Sequence, residues 1–298
     1  MKILLAIITA WLIVNLMHAG WVGVRRFLWE RRVRREKSGL LANAMSYSVG
    51  KGAVAVLFIH GFADSPYVWR RMATRLAATG RCTCRAMRLP GSAEPAETAR
   101  CQSLRLWRTS IADELIKLRS GHERVWLVGH SMGGALALDA AARLPDMVDG
   151  VVVFAPLLEV SRRRSPLLPP AVWFAVARVA LCLSPTFESP FSAEGVAVDD
   201  PSFTYPRDRF IPFAVYNGLF RLVRELRHKA PLVLCPLFVV AAEKDAVVDT
   251  YAALNWLEGC GGTKEVHVLP AISHVIPLEN GWQRLTDELA EFIKRNTP

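Results

Sequence analysis

Cysteine pairs with the spacing of metal ligands are absent from this sequence. It contains six cysteines, but no pair is matched by a second pair in the arrangement that structural zinc sites use. Cys82 and Cys84 are expected to lie on one face of a strand, which does not by itself make a tetrahedral site. The pattern favours reduced thiols, mostly in apolar surroundings, in a reducing compartment. The six are Cys82, Cys84, Cys101, Cys182, Cys235 and Cys260.

Repeats, low-complexity tracts and cofactor fingerprints are also missing. No P-loop and no dinucleotide-binding glycine pattern occurs, and we expect neither a metal nor an organic cofactor. The chain has 298 residues, of which 52% are hydrophobic. This is enough for one large domain with its own core, which we place at residues 38–298, after an N-terminal segment of residues 1–37.

Charge is absent from the 22 residues Ile3–Val24. About 20 apolar residues are enough for a helix to span a bilayer, and a cleaved signal peptide is the alternative. Two observations count against cleavage. The sequence before Ala19 is a poor site for signal-peptide cleavage, and the apolar run continues past it. Seven positive residues then follow Val24 within 13 positions. Such a cluster tends to stay on the cytoplasmic side. We therefore expect an uncleaved single-pass anchor with the remaining chain in the cytoplasm; cleavage would instead give a secreted or periplasmic protein.

The positive charge of the chain is concentrated at one end. The formal net charge is +10, and residues 1–37 carry eight basic and two acidic residues, a net of +6. The rest of the chain carries only +4. No nucleic-acid-binding motif accompanies the basic cluster, so we predict a membrane surface as its acidic partner and expect no binding of nucleic acid.

From Ala44 onward, apolar strands alternate with helical patterns. This alternation predicts an α/β fold, with a mostly parallel central sheet covered by helices on both faces. Ligands bind such sheets at the carboxyl ends of the strands. The predicted strands are Val54–Ile59, Val125–Val128, Val151–Phe154, Leu237–Ala241 and Val266–Leu269. The predicted helices include Leu104–Leu118, Ala135–Arg143, Ala252–Leu257 and Trp282–Lys294.

A serine lies where the strand Val125–Val128 gives way to a helix. Ser131 stands between Gly129 and Gly133 in a G-x-S-x-G pattern, and small residues are needed there because the backbone passes close on either side. This context predicts a nucleophile elbow. A serine hydroxyl is a weak nucleophile without a base, and the motif predicts an acidic residue and then a histidine further along the chain.

Asp245 and His274 meet that expectation, because each follows a predicted strand and the strands end at the same edge of the sheet. His274 would take the proton of Ser131, and Asp245 would orient the imidazole. Asp249 is the rival acid. It lies four residues later, at the predicted start of a helix, where acidic residues are common because of the helix dipole.

A serine that attacks a carbonyl group also needs hydrogen-bond donors for the negative charge that develops on the carbonyl oxygen. We expect the N–H groups of Met132, the residue after the nucleophile, and of Phe62, in the loop after the first strand. Gly61 allows that loop to turn. His60 and His130 are interpreted as residues that shape the loops rather than take part in chemistry.

Some 80 residues separate two of the predicted strands, too many for one helical crossover. We predict an insertion at about residues 157–235. It contains a strongly apolar stretch at residues 167–183 and a helical pattern from Asn217 to His228. These segments either cover the core of the sheet or line a pocket for an acyl chain.

Taken together, these motifs resemble the α/β-hydrolase superfamily, in particular bacterial carboxylesterases and monoacylglycerol-lipase-like serine hydrolases. The resemblance covers roughly residues 45–296 and implies Ser131, Asp245 and His274 as the triad, with Phe62 and Met132 as oxyanion donors. It also implies that the insertion at about residues 157–235 forms a helical cap over the site. The apparent anchor is a departure, because these enzymes are often soluble. The matching segments are HGFADSP (60–66), RLPGSAE (88–94), GHSMGG (129–134), AEKDAVVD (242–249) and ISHVIPLE (272–279).

The sequence thus predicts a serine hydrolase that cleaves carboxylic esters through an acyl-enzyme. The apolar insertion and the anchor favour lipid-like or medium-chain acyl esters, of the monoacylglycerol or lysophospholipid type. Thioester or amide hydrolysis on the same triad stays open, because the triad does not specify the leaving group. A non-catalytic scaffold with this fold is the alternative from a different functional class.

Overall fold

A mixed seven-stranded sheet forms the centre of the computed structural model, which describes residues 1–165, 167–270 and 273–297. The strands are β1 (Tyr47–Val49), β2 (Val54–Ile59), β3 (Cys82–Met87), β4 (Arg124–His130), β5 (Gly150–Phe154), β6 (Thr186–Glu188), β7 (Glu194–Val196), β8 (Thr204–Pro206), β9 (Phe210–Pro212), β10 (Leu237–Ala242) and β11 (Lys264–Leu269). The sheet has the order β1-β3-β2-β4-β5-β10-β11. Only β1 runs antiparallel to its neighbour in the sheet.

Helices flank the sheet, as the alternating pattern predicts. They are α1 (Lys2–Glu30), α2 (Arg70–Ala78), α3 (Ala96–Ala99), α4 (Leu104–Arg119), α5 (Met132–Arg143), α6 (Pro170–Ala180), α7 (Phe213–Leu226), α8 (Thr250–Glu258) and α9 (Trp282–Arg295). Short 3-10 turns occur at Pro66–Trp69, Pro145–Met147, Arg162–Arg164, Ala230–Leu232 and Ile276–Leu278. The predicted α/β fold is confirmed.

The sequence pattern of each strand reflects its place in the sheet. Strands β2, β5 and β10 are buried along their whole length, which is why they are continuous apolar runs. Strand β11 differs from the prediction of a fully buried strand. It lies at the edge of the sheet, and its Val266 and Val268 are nearly half exposed.

The covering helices are amphipathic. In α4 the buried side chains are Leu104, Trp107, Ile111 and Leu115, spaced by three and four residues as one face of a helix requires. The helix begins after Ser103, whose hydroxyl accepts a hydrogen bond from the backbone N–H of the first turn. Helix α4 therefore forms because it buries one apolar stripe against the rest of the fold.

The insertion between β5 and β10 contains more than helices. Helices α6 and α7 occur where the sequence predicts helical patterns, but two small antiparallel sheets, β6–β9 and β7–β8, accompany them. Helix α7 begins at Phe213, four residues before the predicted start at Asn217. Strands of three residues are too short to show an alternating pattern, so the sequence did not predict them. The boundaries at residues 157 and 235 stay a prediction.

All six cysteines are free thiols. Cys82 and Cys84 are buried on strand β3, as the expected apolar surroundings require. Cys101 and Cys182 are exposed, so the expectation does not hold for them. Both lie in short connections beside helices rather than in the core.

Helix α1 contains the uncharged stretch Ile3–Val24 and most of its side chains are exposed. Its 29 residues are long and apolar enough to cross a membrane, with a mean hydropathy of 2.0 over the most apolar window, although a signal sequence has the same properties. Two of its side chains, Asn15 and Val22, are buried against the rest of the molecule. The division of the chain at residue 37 stays a prediction.

Candidate active site

Ser131 occupies a tight connection between β4 and α5. The strand ends at His130 and the helix begins at Met132, so the serine alone makes the turn. Its backbone has φ 53° and ψ −117°, a conformation that residues other than glycine rarely adopt. Its N–H donates to the carbonyl of Phe154 in the neighbouring strand, at 2.9 Å, which holds the strained turn in place.

The glycines around the serine allow close contact between backbone segments. A Cβ atom on Gly129 would lie 2.3 Å from the carbonyl oxygen of Gly133, and one on Gly133 would lie 2.2 Å from that of Ile59. Real Cβ atoms essentially never make such contacts, so larger residues would force the elbow away from β2. The third predicted glycine, Gly61, lies in the facing loop, and a Cβ there would be 2.9 Å from Nδ1 of His130.

The structure brings Ser131, His274 and Asp245 together in one hydrogen-bonded chain. His274 Nε2 lies 2.9 Å from Ser131 Oγ, and His274 Nδ1 lies 2.7 Å from Asp245 Oδ2. With Nδ1–H donating to the carboxylate, Nε2 is free to accept the serine proton. The three residues follow β4, β10 and β11, whose carboxyl ends lie at the same edge of the sheet.

The second oxygen of Asp245 is fixed by the backbone. Asp245 Oδ1 accepts hydrogen bonds from the N–H groups of Val247 at 2.7 Å and Val248 at 3.0 Å. Burial alone would raise the pKa of Asp245, but the hydrogen bond and charge of His274 and these two N–H groups together lower the pKa below its ordinary value. The carboxyl group is therefore held as a carboxylate in a defined orientation.

Asp249, the rival acid, lies outside this chain. It is the N-cap of α8, and its carboxylate accepts a hydrogen bond from the N–H of Ala252 at 3.0 Å. This is the ordinary role of an aspartate immediately before a helix. The structure thus gives the two candidate acids different partners, and only Asp245 bonds to His274.

Two backbone N–H groups close to the serine in the chain or in space have no internal partner. Neither the N–H of Phe62 nor that of Met132 donates to an acceptor among the described residues. Met132 is the first residue of α5, where helix N–H groups lack carbonyl partners. Phe62 follows Gly61, whose Cβ position would lie 3.4 Å from the Cβ of Ser131. The loop that carries Phe62 therefore lies directly beside the elbow.

His60 and His130 are buried and support the loops around the site. His60 Nε2 accepts from the N–H of Leu89 at 3.1 Å, and its Nδ1 lies 2.9 Å from the carbonyl of Gly61. His130 Nε2 lies 2.9 Å from the carbonyl of His274. Burial lowers the pKa of His60 to about 4, and burial together with the charge of His274 lowers that of His130 to about 3. Both imidazoles are therefore neutral at physiological pH and act as structural hydrogen-bonding groups.

A cavity of about 630 Å³ opens above Ser131 and His274. Its walls are largely apolar, and five aromatic side chains of the insertion contribute to them: Trp173, Phe174, Phe191, Tyr216 and Phe220. Phe62 also lines the cavity, and its ring centroid lies 5.0 Å from that of Tyr216. Both α6 and α7 therefore line the site, as the pocket-lining interpretation of the insertion expects.

Sequence reasoning missed the residues that join the insertion to the loop of Phe62. The hydroxyl of Tyr205 donates to Asp64 Oδ1 at 2.8 Å, and the same oxygen accepts from the N–H of Ser65 at 2.9 Å. The guanidinium of Arg207 lies 3.8 Å from the other oxygen of Asp64 and also lines the cavity. The only signal in the sequence is the motif HGFADSP, which does not say what its aspartate binds.

No group of three or more histidine, cysteine, aspartate or glutamate side chains suited to holding a metal occurs in residues 1–165, 167–270 and 273–297.

Comparison with known proteins finds relatives along most of the chain. The thermostable monoacylglycerol lipase of Bacillus sp. (strain H-257) is 24% identical over 262 residues, which cover 88% of this chain and 98% of the lipase. A solved structure from work on LipS and LipT, two metagenome-derived lipolytic enzymes, is also similar. Its TM-score is 0.70 and its identity is 23%, over 86% of this chain and 99% of its own. The monoacylglycerol lipase of Paleococcus ferrophilus gives a TM-score of 0.69 and 18% identity, over 85% of this chain and 98% of its own.

The family profile described as the alpha/beta hydrolase family matches residues 56–288, which include the loop of Phe62, the elbow and the segments that carry Asp245 and His274. The match extends over most of the chain and begins within the first long parallel strand of the sheet. The protein belongs to the alpha/beta hydrolase family.

Proposed function

We propose that this protein is a serine hydrolase that cleaves carboxylic esters through an acyl-enzyme. The observation that carries the proposal is the hydrogen-bonded chain Ser131–His274–Asp245, which opens into an apolar cavity. The similarity to monoacylglycerol lipases supports an ester as the substrate. The residue types and their order also match the elbow motif on which the sequence prediction rests.

In the first step, Ser131 Oγ attacks the ester carbonyl carbon while His274 Nε2 accepts the serine proton. The imidazolium that forms is stabilised by the carboxylate of Asp245 at 2.7 Å. The protonated His274 then gives its proton to the departing alcohol, and the acyl group stays on the serine. A water molecule, deprotonated by the same imidazole, attacks the acyl-enzyme and releases the carboxylic acid.

The N–H groups of Phe62 and Met132 are the proposed donors to the oxyanion. Neither has an internal acceptor among the described residues, and both flank Ser131. Preorganised donors of this kind contribute about 2.7–4 kcal/mol each to the stability of the tetrahedral intermediate. The place of Met132 supports this role, because it is the first residue of α5, and N–H groups at a helix N-terminus favour negative charge.

The proposed substrates are esters of lipid-like or medium-length acyl chains. The cavity has room for such a chain, and the aromatic residues of α6 and α7 provide an apolar wall for it. Phe174 stacks on Tyr216 with ring centroids 5.3 Å apart, and both rings line the cavity. Burial of each methylene of an acyl chain in such a wall is favourable by about 0.8 kcal/mol.

The proposal includes attachment to a membrane through α1, with the catalytic part on the cytoplasmic side. The length and hydropathy of α1 and the basic residues after Val24 support it. In sealed cells, a protease added from outside should leave fragments that contain Ser131 intact until the membrane is permeabilised. Digestion of the domain in intact cells would refute the orientation.

The function is tested with a fluorophosphonate probe and a series of substrates. The probe should label the native protein at Ser131, and the Ser131→Ala variant should not be labelled. Esters of graded acyl length, a matched thioester and a matched amide then rank the leaving groups. Hydrolysis of the thioester or the amide well above the ester would overturn the assignment to esters. Undiminished ester hydrolysis by Ser131→Ala would overturn the whole proposal.

A further inference from the structure

One polar side chain of α1 is wholly buried, although the helix around it is exposed and apolar. Asn15 has no exposed surface, whereas its neighbours Ile13 and Leu16 are 51% and 63% exposed. A buried polar group without partners is costly, and it would be more costly in lipid. The buried amide of Asn15 therefore needs hydrogen-bonding partners within the protein.

Asn15 is matched by the end of α6. Its Nδ2 donates to the carbonyl of Ala180 at 2.6 Å, and its Oδ1 accepts from the N–H of Leu183 at 3.3 Å. Ala180 is the last residue of α6, where carbonyl groups have no partner within the helix. The asparagine thus caps α6 from a position 165 residues away in the chain.

Two further contacts continue this attachment along α1. His18 Nδ1 lies 2.6 Å from the hydroxyl of the fully buried Ser184. Arg25 donates to both carboxylate oxygens of Glu188 in β6, at 2.7 and 2.6 Å. Contacts at three successive places hold the second half of α1 against the segment from Ala180 to Glu188. The helix is therefore part of the insertion's own packing and not a loose tether.

Helix α6 has its own exposed apolar surface. Val172, Trp173, Val176 and Val179 are 43–69% exposed, and no residue of the helix is buried. Large apolar patches of this kind mark sites of contact with a partner or a membrane. Trp173 belongs to this surface and also lines the cavity above Ser131, so the patch borders the mouth of the active site.

We propose that α1 and α6 form a single surface that docks into a lipid bilayer, so that acyl esters dissolved in the bilayer reach the cavity from its lipid side. Asn15 lies near the middle of the apolar stretch Ile3–Val24. Wherever that stretch enters lipid, the turn after Ala180 enters with it, because the two are hydrogen-bonded. The part of the proposal that concerns the substrate rests on the proposed esterase activity.

A bilayer with anionic lipid fits the charges around this surface. Seven basic residues lie at positions 25–37, immediately after the apolar stretch. Glu188, the acidic side chain at the attachment, is neutralised by Arg25 and Arg209, which lie 2.6 Å from it. Basic residues near anionic headgroups strengthen membrane binding. The occupant is thus a membrane surface rather than another protein.

The first test separates delivery of substrate from chemistry. The full chain is assayed on a short, water-soluble ester and on a long-chain monoacylglycerol in vesicles that contain anionic lipid. Asn15→Leu keeps α1 apolar but removes the cap of α6, whereas Thr9→Leu makes a similar change at an exposed position of the same helix. We expect Asn15→Leu to lower turnover in vesicles by about fivefold or more and to leave the short ester unchanged, with Thr9→Leu like wild type on both.

Equal rates of Asn15→Leu and wild type on the vesicles would overturn the coupling of α1 to α6. Failure of the proposed function would give a different result, since a protein that is not an esterase would leave the short ester intact in every variant. The two outcomes are therefore distinguishable in the same experiment.

The second test measures depth in the bilayer. Cys182 is exposed in the turn after α6 and takes a fluorophore in a Cys101→Ser background. Lipids with a quencher on the acyl chain should quench this fluorophore. A fluorophore on Ser120→Cys, beside the amino end of β4, is the matched control in a Cys101→Ser, Cys182→Ser background and should not be quenched. Equal quenching at the two positions, or none at Cys182 while α1 is inserted, would refute the proposal.

Discussion

The Asp245→Asn variant tests the hydrogen-bonded chain most directly, because the backbone decides how the new amide is oriented. In the native protein Oδ1 accepts from the N–H groups of Val247 and Val248, and Oδ2 accepts from His274. The amide oxygen of asparagine will take the place of Oδ1, since an NH₂ group there would face two donors. Leaving two buried donors unpaired costs roughly 2–6 kcal/mol.

This orientation places the NH₂ group of the substituted side chain against His274 Nδ1. Nδ1 then has to accept a hydrogen bond, and the ring proton moves to Nε2, which faces Ser131 at 2.9 Å. An imidazole with a proton on Nε2 cannot take the serine proton. Restoring the productive tautomer costs the same roughly 2–6 kcal/mol, or about 30-fold to 10⁴-fold in rate. The lost charge of the carboxylate adds to this, and we expect kcat to fall by about 10³-fold to 10⁴-fold.

The assay is steady-state hydrolysis of a short, water-soluble ester, with circular dichroism to check the fold. Asp249→Asn is the matched control, because it makes the same chemical change four residues away, at an N-cap where asparagine is as good as aspartate. It should keep nearly wild-type kcat. An Asp245→Asn enzyme that keeps a large part of its activity, together with an inactive Asp249→Asn enzyme, would refute the reasoning.

Three further predictions concern the serine, the pH dependence of stability and the acyl pocket. Ser131→Ala should abolish ester turnover, and adding His274→Ala should cost little more, whereas multiplicative losses would contradict joint action. Burial raises the pKa of Asp208 to about 7, so ionisation of this carboxyl group destabilises the folded protein as pH rises from about 4 to 7. Asp208→Asn should therefore gain stability relative to wild type over that window, by at most about 4 kcal/mol. A difference in the free energy of urea unfolding that is constant with pH would contradict this. Tyr216→Ala should raise KM more for long than for short acyl esters, and an equal effect on both in the same assay would argue against its contact with the chain.

The sequence alone predicted the sheet and the candidate residues at its edge, because both depend on local patterns. Continuous apolar runs such as Val54–Ile59 are typical of strands buried on both faces. Once the strands are known to be parallel, residues that directly follow them must meet at one edge. Ser131, Asp245 and His274 each follow a strand, so their proximity in the structure was predictable without any knowledge of loop conformation.

Local patterns did not predict the exposure of β11 or the two small sheets of the insertion. Whether a strand lies at the centre or at the edge depends on which neighbours it pairs with. Strand β11 lies at the end of the sheet, and Val266 and Val268 are exposed because they share the face of this strand that is left uncovered. The strands of the small sheets are three residues long, and their partners lie well apart in the chain, as Thr186 and Pro212 do. They have too few residues for a periodic pattern to appear.

The attachment of α1 to α6 was decided by tertiary structure alone. In the sequence, Asn15 is one polar interruption of an apolar stretch, and nothing near it indicates a partner. Besides the carbonyl of Trp11 in its own helix, its partners are backbone groups at the end of a helix 165 residues further on, and backbone groups are the same in every sequence. The sequence thus determines which segments are apolar and which residues follow strands. Contacts between polar side chains and distant backbone depend on how the elements pack, and only the folded chain brings them together.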